Sequence, residues 1–285
     1  MTVQQIIEEI IRYSALPVKL EKTCDVLITG KPEMPVTGVV TTFMATADVI
    51  REAVKQGANL IITHEPTWWS GADDTGWLKN DPVYQNKLDL IEKENMAIWR
   101  YHDHMHMHKP DAIFVGLLKE LGWEKYSVNP APQGRVSPQT TRENFASNFH
   151  NYYDIPETTL GALAAFFKEK ICMETVRIIG EAGMACSRIG ILPGGGSLGL
   201  GVEIMPMQVM QLHDIHVMVC GDITEWTLPA YVNDARQLGH RRALLIIGHE
   251  RSEEWGMKYM AQWLPDLIGG LPVTFVDAKE PFNYL

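Results

Sequence analysis

Residues Val3-Gln-Gln-Ile6-Ile7-Glu-Glu-Ile10-Ile11 put apolar side chains at i, i+3, i+4, i+7 and i+8, the stripe of one helix face, with Thr2 placed to cap it. Val26–Thr29 and Val39–Phe43 read as strands. Ala47–Gln56 returns to the helical period, and Gly57 supplies its stop. Asn59–Thr63 is a continuous apolar run, the mark of a strand covered on both faces. A helix over Val83–Lys93, a strand over Ala97–Tyr101 and a helix over Ala112–Leu121 complete this stretch. Between Glu124 and Pro156 the pattern weakens, where Pro130, Pro132, Gly134, Pro138 and Pro156 interrupt any regular element. Beyond it, Thr158–Lys170 reads as a helix, and Thr175–Ile179, Arg188–Leu192, Val217–Gly221, Arg242–Ile247 and Pro272–Val276 read as strands. Helices fall near Leu228–Leu238 and Glu253–Trp263. This alternation predicts an α/β fold with two layered halves and largely parallel sheets, 1–125 and 126–285, with 126–157 an irregular connection. No fixed short period is present, which excludes a solenoid or propeller.

Composition narrows the function classes. A chain of 285 residues with 46% hydrophobic and 21% charged side chains buries enough surface to need no staple. A net charge of -10 repels nucleic-acid phosphate and anionic lipid alike, so neither is an expected partner. The longest apolar stretches, such as Leu160–Phe167, are far too short to span a bilayer. No basic and apolar leader is visible, so a cytoplasmic location is expected. Cys24, Cys172, Cys186 and Cys220 lie far apart with no C-x-x-C pair, which predicts small buried side chains in a reducing compartment.

The histidines change the picture. Three polar clusters follow apolar strands directly: Thr63-His64-Glu65-Pro66, His102-Asp103-His104-Met105-His106, and Gly248-His249-Glu250-Arg251-Ser252-Glu253. In open α/β sheets the crevice outside the carboxyl ends of the strands is where ligands bind. Imidazole and carboxylate together suit a first-row divalent ion such as Zn, Fe, Mn, Co or Ni, and no cysteine is close in sequence to argue for a thiolate site. Six candidate ligands, His64, Glu65, His102, His106, His249 and Glu253, match the needs of two ions with open positions. Such a pair activates water for metal-assisted hydrolysis. Glu250 and Asp103 are the candidate proton-transfer groups. Asp222 and Glu225 follow a strand and fit hydrogen bonding to a ligating histidine, and Asp222 equally fits capping of the next helix. The run Pro193-Gly-Gly-Gly-Ser197 offers either a phosphate cradle or, with no Lys following, simply a turn. Trp68, Trp69 and Trp77 offer either packing anchors or walls for a planar ring.

Four segments, Thr41–Thr46, Gly57–Pro66, Cys220–Glu225 and Gly248–Glu253, resemble in order the NIF3-like (DUF34) dinuclear metal proteins, some of which carry the name GTP cyclohydrolase I type 2 homologue. The resemblance covers nearly the whole chain. It implies two similar α/β halves, a two-metal site in the cleft between them, and homo-oligomers, often hexamers. His64 occupies the first position of the family's His-His-Pro, and Glu65 stands for the second histidine. His102 holds the histidine of the family's His-x-x-x-Asp, and His106 stands for its aspartate. His249 and Glu253 match the late ligands unchanged. An imidazole and a carboxylate have thus exchanged places, which keeps ligand number and charge; entry of Asp103 or His104 into the ligand set is the alternative. The implied activity is hydrolysis of a nucleotide or another small phosphorylated or cyclic-amide compound. The rival is a metal-binding protein without catalysis, for storage, delivery or metal-dependent regulation.

Overall fold

The computed structural model describes residues 1–15, 20–108, 110–128 and 144–285. Two compact units result: Met1–Gly116 with Glu254–Lys279, and Leu117–Glu253 with Glu280–Leu285. The change in sequence pattern suggests a division at 125/126. The chain returns to the first unit at Glu254, within the helix 249–267, whose Met257, Met260 and Leu264 join that unit's core, and a short strand near the C-terminus then pairs with a strand near the start.

The first unit is built on a five-stranded sheet of β1 (Leu27–Thr29), β2 (Val39–Thr42), β3 (Leu60–Thr63), β4 (Ala97–Arg100) and β10 (Val273–Phe275). Its order is β1-β4-β3-β2-β10, parallel except where β1 meets β4. The all-apolar reading of β3 is explained by its place at the centre, where Leu60, Ile61 and Ile62 are each fully buried. Helix α1 (Val3–Tyr13) buries Val3, Ile6 and Ile10, and its Thr2 cap closes a full capping box with Gln5. Helix α2 (Ala47–Lys55) is capped by Thr46, and Gly57 takes the left-handed turn that ends it at φ +71°. Helix α3 (Pro82–Lys93) starts from an Asp81 cap with proline in its first turn. A short helix α4 (Asp103–Met107) follows β4, and α5 (Ala112–Leu121) comes next.

The second unit has its own sheet, with β5 (Tyr152–Thr159), β6 (Arg177–Ile179), β7 (Ala185–Leu192), β8 (Val217–Cys220) and β9 (Ala243–Ile246) in the order β5-β7-β8-β9-β6. The three central strands are parallel and both edges antiparallel. Helices α6 (Leu160–Lys170), α7 (Met205–Leu212) and α8 (Leu228–Gln237) accompany it, and α9 (His249–Leu267) begins directly after β9. The orders β1-β4-β3-β2 and β6-β9-β8-β7 are one topology repeated, so the expectation of two similar α/β halves holds.

Three elements escape the hydrophobic pattern. Strand β5 lies in a stretch read as irregular, because Pro156 falls where its register with β7 slips between Asp154 and Thr158. A proline is tolerated there because β5 is an edge strand and the slip frees its position from the ladder. Helix α7 is methionine-rich, and Met205, Val209 and Met210 are core residues of the second unit. Helix α4 is too short and too polar to show a period. Pro130, Pro132, Gly134 and Pro138 lie outside the described residues.

Candidate metal centre

The candidate ligands of the first unit sit where two neighbouring parallel strands end. Register pairs Thr63 of β3 with Arg100 of β4, so His64 and His102 leave adjacent strands side by side. Their rings stack at 4.6 Å between centroids. His106, one helical turn beyond His102, stands edge-on to both, at 4.8 Å from His64 and 4.7 Å from His102. One ring nitrogen from each of the three lies within 4.8 Å of the others. Glu65 reaches the edge of the group, its Oε1 3.7 Å from His102 Nε2.

In all three histidines Nδ1 faces an oxygen that can only accept. His64 Nδ1 donates to the Tyr101 carbonyl at 3.3 Å, His102 Nδ1 to Asp103 at 3.0 Å, and His106 Nδ1 to Asp111 at 3.2 Å. A neutral imidazole so held carries its lone pair on Nε2, the form that binds a divalent metal. Burial supports the same reading for two of them: His64 is 0% exposed and His106 2%, an environment that disfavours an unpaired charge. The donor set fits a borderline transition metal.

Helix α4 owes its existence to a residue far away in sequence. Its Ncap, His102, makes no side-chain cap hydrogen bond. Asp25 takes that part from the segment before β1, accepting from the backbone N–H groups of His102, Asp103 and His104 at 2.6, 2.7 and 2.9 Å, and from His104 Nδ1 at 2.6 Å. A buried carboxylate against the exposed amides of a helix start is strongly held. His104 is thereby committed to Asp25 and, among the described residues, belongs to none of the groups gathered closely enough to hold an ion.

Asp103 turns toward His102 and accepts from the Cys24 amide at 3.0 Å. The His102 hydrogen bond, helped by the Cys24 amide, holds its carboxyl well below the usual range against the opposing pull of burial. Cys24 itself lies with His102 and Asp103 in a second group of donor atoms within 4.8 Å of one another. No local pattern points to a thiol here, because the chain separation between Cys24 and His102 hides their meeting. Burial pushes that thiol up to about 12, with Arg100 pulling the other way. The other cysteines divide: Cys186 and Cys220 are buried as expected, whereas Cys172 is exposed.

In the second unit the equivalent strands, β8 and β9, end in Asp222 and His249. His249 Nδ1 lies 2.8 Å from Asp222 Oδ2, and Nε2 lies 3.0 Å from Glu253 Oε2. Helix α9 starts at His249 itself, earlier than its apolar period suggests, so the two ligand candidates face one another across one turn. With carboxylates on both nitrogens, a cation, proton or metal ion, belongs between Nε2 and Glu253. Of the two sequence expectations for Asp222, pairing with the histidine is the one realised; Glu225 joins no described contact with a candidate ligand.

The glycine run is more than a turn. Gly194 sits at φ +51°, and a Cβ there would stand 2.6 Å from Glu253 Cδ and 2.8 Å from His249 Nε2. Its amide donates to Ser252 at 2.9 Å, and Ser197 Oγ closes onto the Asp222 carbonyl. Only a residue without a side chain lets this backbone lie against the two ligand candidates.

The Duf34/NIF3 (NGG1p interacting factor 3) family model matches residues 1–281. A protein named GTP cyclohydrolase 1 type 2 homolog from Clostridium perfringens is 22% identical over 94% of this chain and 95% of its own. One of the same name from Chlamydia trachomatis is 24% identical over 89% and 88%. Among solved structures, Staphylococcus aureus protein SA1388 superposes with a TM-score of 0.71 at 20% identity, covering 100% of this chain and 99% of the other. A Bacillus cereus protein related to NIF3 gives 0.70 at 16% identity over 100% and 99%. These likenesses establish the fold.

Proposed function

Because the chain belongs to the Duf34/NIF3 (NGG1p interacting factor 3) family, we propose that it binds two divalent transition-metal ions and hydrolyses a nucleotide or another small phosphorylated or cyclic-amide compound. The ligands in this reading are His64, Glu65, His102, His106, His249 and Glu253. Its main support is the convergence of His64, His102 and His106 with each Nδ1 already committed to an oxygen. Zn, Fe, Mn, Co and Ni all suit such a set.

When bound, divalent ions supply Lewis acidity toward a substrate oxygen and a hydrolytic nucleophile near neutral pH. The chain's own part is orientation. Asp103, Asp111 and Asp222 fix the tautomers of His102, His106 and His249, and Gly194 leaves room at Glu253. Glu250, its Oε2 3.4 Å from the Arg251 Nε, is the proposed proton-transfer group; Asp103, its carboxyl held well below the usual range, acts instead as the acceptor that orients His102. In keeping with the family, a cytoplasmic homo-oligomer is part of the proposal. The described residues contain no helix long and apolar enough to cross a membrane.

The test is metal content per chain by plasma mass spectrometry on untagged protein, with His106→Ala and His249→Ala alongside. About two ions per chain, lost in part by each variant while the fold persists, is expected. Less than roughly half an ion after reconstitution with each of the five metals overturns the reading. Full metal loading with no hydrolysis across a panel of nucleotides and cyclic amides leaves the storage or delivery function instead.

A further inference from the structure

Next to the histidine group, a separate cavity of about 640 Å³ opens between α2, α3 and the loop that follows Glu65. Its size is that of a small-molecule site. Four features at its wall are hard to explain as packing alone.

Lys87, on α3, is 9% exposed, an unusual state for an ammonium group. Its Nζ donates to the Thr67 carbonyl at 2.7 Å and lies 5.3 and 5.1 Å from the ring centroids of Trp68 and Trp69. That is one hydrogen bond among the described residues for a group with three N–H donors. Desolvation lowers its pKa to about 8, with Asp73 opposing.

Trp69 is the second feature. It is held at φ +61°, a conformation bulky residues rarely adopt, and its indole is 48% exposed where Trp68 beside it is 3%. Strain of this kind persists where a side chain must be presented. The third is Thr67, 1% exposed, whose Oγ1 has no hydrogen-bond partner among the described residues although it lines the same cavity. The fourth is charge. The lining carries Arg51, Lys87 and Lys93 against one acid, Asp89, on a chain whose net charge is -10; Asp48 pairs with Arg51 at 2.8 Å and Glu94 lies 3.6 Å from Lys93, neither of them lining the cavity.

We infer that this cavity is a binding site for a planar-ringed phosphate, a nucleoside monophosphate in chemical class, with the ring on Trp69 and the phosphate on Lys87, Arg51 and Lys93. A stacked ring accounts for an exposed, strained indole. A phosphate supplies acceptors for the two remaining Lys87 donors, and it favours the charged ammonium that burial alone disfavours. None of these side chains is a proposed metal ligand, so the site stands without the metal reading.

Isothermal titration of the full chain with GMP tests it, with guanosine and inorganic phosphate as separate titrants. GMP is expected to bind at least tenfold tighter than either part. Trp69→Leu, Lys87→Gln and Lys93→Gln are each expected to weaken GMP at least threefold, and Lys93→Gln, at an exposed rim position, does so with an unchanged urea midpoint. No GMP binding at about 5 mM, equal binding of GMP and phosphate (an adventitious anion site), or GMP binding that none of the three variants alters would overturn the inference. Metal content measured on the same samples reports independently on the metal centre.

Discussion

The two sheets place their candidate ligands by one rule and secure them by opposite means. In each, the third and fourth strands of the repeated topology end in the polar residues: His64 and His102 after β3 and β4, Asp222 and His249 after β8 and β9. In each, the residue four positions after the later histidine is the partner, His106 in one and Glu253 in the other. The first group is buried apart from His102, which is 24% exposed, and a carboxylate from a remote segment, Asp25, pins the helix turn that bears it. The second joins a His249 about one-third exposed to a buried Glu253, and it is secured by backbone, through a glycine pressed against the ligands. The same architecture therefore tolerates either a side-chain or a main-chain brace, and the two should fail differently.

The largest expected effect is at the side-chain brace. Asp25→Ala strips a fully buried carboxylate from three backbone amides and the His104 ring, and orphaned donors at a buried helix start cost heavily. A loss of about 3–4 kcal/mol is expected in urea unfolding, with metal binding by His102 and His106 weakened even in the folded fraction. If Asp25→Ala unfolds like the parent, α4 is held by its own sequence and the contrast between the regions collapses.

Gly194→Ala probes the main-chain brace. A methyl group there must displace Glu253 or His249, and the left-handed backbone adds its own penalty. About 2–3 kcal/mol is expected, with metal loss concentrated on the His249 side and the three-histidine group intact. Gly195→Ala, where a Cβ meets nothing within 4 Å, is the control that separates crowding from glycine composition.

What the sequence revealed follows from range. Each strand end announces itself locally, by an apolar run and then His or Glu, so the six ligand candidates and most element boundaries were readable. Braces are non-local. Nothing near Asp25 or Cys24 points to His102, and Gly194 reads as a turn because its constraint comes from Glu253, on another element. Strand β5 was hidden for a different reason: Pro156 is a breaker in the middle of a sheet but not at a slipped edge. Trp69 was legible as a candidate ring wall, yet Lys87 beneath it was not, since a lysine on a helix period looks like any solvent-facing residue.

The smallest effect is also the most discriminating. Asp111 uses both carboxylate oxygens on donors, Oδ2 on His106 Nδ1 and Oδ1 on the Ile113 amide at 2.9 Å, and is 6% exposed. Asparagine has one oxygen and one NH2, so Asp111→Asn must set a donor against a donor whichever way the amide is turned. Facing the NH2 toward His106 would also move the ring proton to Nε2 and remove the lone pair a metal needs. Asp222, 39% exposed, engages His249 through Oδ2, so Asp222→Asn can keep its oxygen on His249 and leave its NH2 to water. About 1–2 kcal/mol is expected for Asp111→Asn and less than about 0.5 for Asp222→Asn. Metal affinity should fall tenfold or more only in the first. Equal losses in the two variants would mean that neither burial nor the hydrogen-bond geometry at each histidine separates the regions.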